Sequence, residues 1–103
     1  MGLSTERESP MLYMIVERFI NADPVPVYRR FREQGRLAPA GLTYIESWVD
    51  ESLSRCFQLM ETEDMGLLKE WMENWHDIVE FEVHPVISSN VAVERVTLSP
   101  TGA

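Results

Sequence analysis

Apolar residues in this chain recur at two different intervals, and the switch between them marks out the elements. Val79, Phe81 and Val83 alternate with Glu80, Glu82 and His84, and Ile45, Ser47 and Val49 alternate with Tyr44, Glu46 and Trp48. A period of two is what a strand presents to its two faces. Phe57 and Leu59 alternate in the same way with Cys56, Gln58 and Met60. Met11 to Phe19, M-L-Y-M-I-V-E-R-F, is apolar on both sides, as expected of a central strand covered on both faces. Between these runs Leu67, Trp71, Trp75 and Ile78 recur at helical spacing with Leu68 and Met72 beside them, while Lys69, Glu70, Glu73, Asn74 and Asp77 fall opposite. The spacing predicts a helix capped by Thr62, with Glu63 and Asp64 at the positive end of its dipole and both tryptophans in the core.

An earlier helix opens at Asp23-Pro24, where aspartate caps and proline needs no N–H partner. It carries Val27, Tyr28 and Phe31 on one side and ends at Gly35. Leu37 to Gly41 forms a turn, and Asp50 to Ser54 has the length of a hairpin loop. Residues 1–10 are polar and close on Pro10, which predicts a loose arm. A domain spans 11–87, followed by an extension over 88–103 whose apolar rhythm from Val91 to Leu98 suits either a helical turn or an extended piece.

Strand, helix, strand, hairpin, strand, helix, strand is the split βαβ order: an α+β, ferredoxin-like βαββαβ fold with a four-stranded antiparallel sheet and both helices on one face. Pro85 suits an edge strand, since it cannot donate to a ladder. Sorting by alternation sends Leu12, Met14, Val16, Ile45, Val49, Phe57, Leu59, Phe81 and Val83 toward the helices, with Ser47 the sole polar side chain among them. The other face then holds Tyr13, Ile15, Glu17, Tyr44, Glu46, Trp48, Cys56, Gln58, Met60, Glu80, Glu82 and His84. That face is too greasy for open solvent and too acidic for a dry core. It predicts a homodimer packed sheet against sheet about a two-fold axis.

Composition narrows the function. The 103 residues, 45% of them hydrophobic, build one small core. A formal net charge of −8 excludes nucleic acid as a leading partner, because affinity for phosphate backbones comes from clustered Lys and Arg. The charge is lopsided: residues 1–45 hold six basic and five acidic side chains, and residues 46–103 hold three basic and twelve acidic. A lone cysteine, Cys56, forms no internal disulfide and belongs to no zinc-binding spacing, so no metal or cofactor is expected and a reducing cytoplasm fits. No apolar run approaches the roughly 18 residues of a membrane span, and no secretion signal is expected.

The blocks M-L-Y-M-I-V-E-R-F, P-A-G-L-T-Y-I-E-S-W, R-C-F-Q-L-M-E-T-E-D and above all W-M-E-N-W-H-D-I-V-E-F-E-V-H-P-V resemble a family of short, uncharacterised bacterial domains of unknown function in the dimeric α/β barrel, ferredoxin-like group. The resemblance covers Met11 to Val86. It implies the fold and the dimer, and it brings no reaction and no catalytic residue. The wider barrel group includes cofactor-independent oxygenases and isomerases acting on small aromatic or lactone substrates.

The residues offer three functional readings. The leading one is a cytoplasmic homodimer that binds a small molecule, with Tyr13, Glu17, Trp48 and His84 as candidate ligand-binding residues on the mixed face. Trp48 is favoured there as a dimer anchor, and His84 could lie near Glu17, Glu80 and Glu82. The competing reading is a cofactor-independent monooxygenase- or isomerase-like enzyme, which requires a titratable group in a pocket. The alternation puts none on the helix-facing side of the strands, though His76 at the second helix's end could reach a pocket mouth and is better explained as a C-terminal cap. The third reading is an anion site on Arg29, Arg30, Arg32 and Arg36, set against a solvated basic face pairing with the acidic second half.

Overall fold

A computed structural model describes residues 11–98; the predicted arm over 1–10 lies outside the described residues. Strand β1 (Met11–Phe19) leads through a short 3-10 turn (Ile20–Ala22) to helix α1 (Val25–Gln34), and strand β2 (Thr43–Val49) pairs through a tight loop with β3 (Arg55–Thr62). Helix α2 (Met65–Glu73), strand β4 (Val79–Val86) and helix α3 (Ser89–Leu98) complete the order. The sheet runs β2-β3-β1-β4 with every pair antiparallel, the ferredoxin-like βαββαβ arrangement read from the periodicity.

Local chemistry accounts for most element ends. Helix α1 starts one residue later than expected, with Pro24 at its N-cap; Asp23 precedes it and its Oδ1 still accepts from the Val25 N–H at 3.0 Å. Gly35 closes that helix at a φ of 76°, where a side chain would be strained, and its N–H donates to the Phe31 carbonyl. At α2 the expectation shifts by two residues. Strand β3 continues through Thr62, so Asp64 is the cap, accepting from the Gly66 N–H at 2.8 Å, while the Thr62 hydroxyl accepts from the Asp64 N–H. The hairpin loop is held by Asp50, whose carboxylate accepts from the Ser52 hydroxyl at 2.8 Å and the Ser54 N–H at 3.3 Å. Residues 89–98 settle as helix, with Val91, Val93 and Val96 exposed.

The faces of the sheet require a correction. On β4 the phase is as read: Phe81 and Val83 turn inward, and Glu80, Glu82 and His84 turn outward. On the two central strands it is reversed. Tyr13, Ile15, Glu17 and Phe19 of β1, and Cys56, Gln58, Met60 and Thr62 of β3, are the buried set, and Leu12, Met14, Val16, Phe57 and Leu59 are only half-buried on the open side. The register fixes this, since Tyr13 lies opposite Met60, Ile15 opposite Gln58 and Val83, and Glu17 opposite Cys56 and Phe81. Both strands carry large apolar groups on either side, so hydrophobicity alone does not choose a face. The polar pair that argued for the wet side, Glu17 and Gln58, is buried because the two side chains hydrogen-bond each other.

On β2 a register shift between Tyr44 and Glu46 leaves Ile45 opposite no residue of β3. Its side chain is exposed rather than under the helices, whereas Ser47 and Val49 are half-buried. The helices cover the inner face with Val27 from α1 and Leu68 and Trp71 from α2, and Trp75 follows in the turn beyond α2, so both tryptophans are core as their spacing predicts.

Candidate functional site

Between the inner face of the sheet and the two covering helices lies a cavity of about 300 Å³, at the lower end of the range for small-molecule pockets. Its roof comes from Val27, Tyr28 and Phe31 of α1 with Trp71 and Trp75, and its floor from Glu17, Phe19, Ser47, Val49, Cys56 and Gln58. Arg36, just past the end of α1, completes the wall. The lining is chiefly apolar and aromatic, with a few polar groups at one side, the usual make-up of a ligand site.

Those polar groups form a chain. Arg36 donates from Nε to Gln58 Oε1 at 2.6 Å, and Gln58 donates from Nε2 to Glu17 Oε2 at 2.5 Å. The guanidinium cannot accept, so its bond fixes which end of the Gln58 amide faces the carboxyl. Glu17 Oε1 has no hydrogen bond among the described residues, and no buried side-chain oxygen or nitrogen among them lacks a partner, so this oxygen is accessible from the cavity that Glu17 lines. Burial raises the Glu17 carboxyl from the usual 4.5 to about 7, against the lowering effects of the Gln58 hydrogen bond and the Arg36 charge. A carboxyl held there changes protonation near neutral pH, as a general acid or base must.

Its neighbours do not compete. Burial, with the adjacent Glu17, pushes the Cys56 thiol up to about 12, so it stays protonated and unreactive. Burial likewise raises the Tyr28 phenol.

Arg36 is held at both ends. Its carbonyl accepts from the indole N–H of Trp71 at 3.1 Å and of Trp75 at 2.9 Å, and the Asn74 amide donates to the next carbonyl, Leu37, at 3.1 Å. Leu37 itself sits at a φ of 65°, a conformation rare for a leucine and sustained here by these flanking bonds. The Arg36 guanidinium lies between two rings, its Cζ 3.6 Å from the Tyr44 centroid and 5.2 Å from that of Phe31. Trp71 of α2 and Trp75 just beyond it thus do two things: they fill the core and they anchor the peptide that carries the arginine.

The sequence-derived candidates are dispersed. Tyr13 and Glu17 are buried beneath the helices, whereas Trp48 and His84 are exposed on the opposite side of the sheet, so the four do not form one cluster. His84 pairs with Met14 rather than Glu17 across the β1–β4 ladder, and its Nε2 lies 2.7 Å from Glu82 Oε2, which belongs to a carboxylate that also accepts from Arg18 at 3.1 Å. His76 sits at the end of α2 with Nδ1 3.0 Å from the Glu73 carbonyl, the position of a helix cap. The four arginines do not converge on one site, although Arg29 and Arg32 share a surface depression with Tyr28 and Leu53. Arg29 and Arg32 are exposed, Arg30 makes a two-pronged pair with Asp77 at 2.8 Å and holds that carboxyl down near 2, and Arg36 alone reaches the cavity.

Gln58, Ser47 and Cys56 at the cavity were not legible as site residues. The available signal was an isolated carboxylate and an isolated amide in otherwise apolar strands, which points to a satisfied buried pair as well as to a hydrated face. Among the described residues no three His, Cys, Asp or Glu side chains gather as metal ligands, and no helix is long and apolar enough to cross a membrane.

A family model described as a domain of unknown function, DUF3303, matches residues 11–98, and the match runs from β1 through α3. No curated protein and no solved structure matches the chain.

Proposed function

We propose, for a chain that belongs to the DUF3303 family and inherits no assigned chemistry from it, that the cavity binds a small, largely apolar molecule and that Glu17 exchanges a proton with it. The observation that carries this is the Glu17 carboxyl, buried with one oxygen tied to Gln58 and poised near neutral pH against an aromatic-lined space. As the neutral acid it gives its proton to one ligand atom, and the carboxylate so formed takes a proton from a carbon or oxygen acid elsewhere on the ligand, leaving the electron pair there. The two transfers together are an isomerisation with no cofactor or co-reactant, and Glu17 ends protonated as it began.

The test is proton exchange. Small aromatic ketones and lactones incubated with the protein in deuterated buffer should lose the proton next to the carbonyl faster than in buffer alone. Glu17→Gln should slow that exchange by about 100-fold or more. Ligand NMR on the same compounds reports binding separately. Binding without exchange would leave a binding module and remove the proton transfer; absence of both would end the reading.

We infer further that two copies associate through the open side of the sheet, in a reducing cytoplasm that suits the unpaired Cys56 thiol. The support is the surface itself: Leu12, Met14, Val16, Phe57 and Leu59 are only half-buried, and Trp48 is 49% exposed, in one patch edged by Glu46, Glu82 and His84. The expected solution species is a dimer, measured by sedimentation, and a monomer at millimolar concentration would overturn it.

A further inference from the structure

The chain has a large excess of carboxylates, with a formal net charge of −8, and three of them pair with arginines among the described residues. Arg18 meets Glu82, Arg30 meets Asp77 and Arg55 meets Asp50. Arg29, Arg32, Arg36 and Arg95 make no ion pair among the described residues, and of these Arg36 alone is not exposed and lines the cavity. It is half-buried, packed between the Tyr44 and Phe31 rings, and bonded through Nε to a neutral amide; its two terminal nitrogens have no hydrogen-bond partner and no carboxylate within pairing distance among the described residues. The nearest acid on the cavity wall, Glu17, is one amide removed. Because no buried side-chain nitrogen among the described residues lacks a partner, the two terminal nitrogens of Arg36 are accessible, and the planar fork they form matches a carboxylate.

Resting on the reading of the cavity as a ligand site, we propose that its ligand is a monoanion, a planar aromatic carboxylate whose acid group pairs with Arg36 while its ring lies under Trp71 and Trp75. The polar wall then divides its labour. Arg36 takes the charge, Gln58 holds both neighbours in place, and Glu17 Oε1 meets the ligand at a second point as a neutral acid. Charge sets that protonation state: a bound carboxylate a few ångströms away opposes ionisation of Glu17, so binding takes up a proton wherever Glu17 is ionised in the empty protein. Arg36 faces Glu17 across the Gln58 amide, and Cys56 and Tyr28, both raised by burial, stay neutral across that range. Carboxylate affinity therefore falls as pH rises beyond about 7.

The probes are 1-naphthoate and its neutral counterpart 1-naphthamide, titrated into the full chain by calorimetry. The acid should bind about tenfold tighter than the amide, since a charge-assisted pair is being compared with a neutral contact. Arg36→Gln should erase that preference and Arg36→Lys should retain part of it; the preference in the parent protein stands as a test even if a variant fails to fold. Between pH 6 and 9 the acid's affinity should decline in the parent and hold steady in Glu17→Gln. Equal affinity for acid and amide overturns the charge selection and leaves the cavity reading intact. Failure of both to bind up to about 10 mM removes both.

Discussion

The two sides of the sheet carry similar numbers of large side chains and polar groups, yet they treat them in opposite ways. Beneath the helices, Glu17 and Gln58 are almost fully buried and bonded to each other, with Gln58 held in turn by Arg36. On the open side, Glu82, His84 and Arg18 also form a hydrogen-bonded group, but all three are exposed and the same contacts are worth little. A polar residue in a strand therefore does not by itself say which face is wet. What separates the faces is that the inner pair, Glu17 and Gln58, is bonded to each other beneath the helices, whereas the outer group stands in water.

That difference can be broken most forcefully on the buried side. Trp71→Ala removes a fully packed indole and one of the two N–H groups holding the Arg36 carbonyl, and should cost about 3–5 kcal/mol in urea unfolding. Ile15→Ala should approach that figure, whereas Met14→Ala, its neighbour on the other face, should cost less than about 1 kcal/mol in dilute monomer. Equal costs for these two would erase the distinction drawn between the faces.

The next largest effect is on pH dependence. The folded Glu17 carboxyl titrates near 7 and the unfolded one near 4.5, so between these values the unfolded chain binds fewer protons and stability falls as pH rises. The contribution is complete below 4.5, is lost through about 7, and is on the order of 3 kcal/mol across the window. Glu17→Gln should flatten this decline. An unchanged slope of urea midpoint between pH 4.5 and 8 would show that the carboxyl is not held as described.

On the open side the expected consequence is in association rather than folding. Trp48→Glu places an unpaired carboxylate in the proposed contact and should weaken dimerisation by at least about tenfold in sedimentation, with little change in the unfolding of the monomer. The smallest effect belongs to Arg30→Ala. Its pair with Asp77 is short and two-pronged, but the aspartate is exposed, so stability should change by no more than about 1 kcal/mol.

Periodicity carried the element order, the sheet class and the phase of β4, because Glu80, Glu82 and His84 share one side of a strand that is apolar on the other. It failed on β1 and β3 for a physical reason. Phase is readable only when one side is plainly polar, and Leu12, Met14 and Val16 are no less apolar than Tyr13 and Ile15. The placement of Arg36 was hidden for a different reason. It depends on Gly35 and Leu37 turning through positive φ and on two indoles far along the chain gripping one peptide oxygen, contacts with no local signature. Ile45 was misplaced because a bulge interrupts the alternation from which it was read.

The shared grip of Trp71 and Trp75 on the Arg36 carbonyl gives the protein a spectroscopic consequence. Two of its three tryptophans report on one peptide group at the rim of the cavity, and the third, Trp48, stands on the far side of the sheet in contact with solvent. Replacing Trp48 with phenylalanine would leave a tryptophan emission spectrum that originates solely beside the arginine, so that occupancy of the cavity could be followed by light from the wall itself.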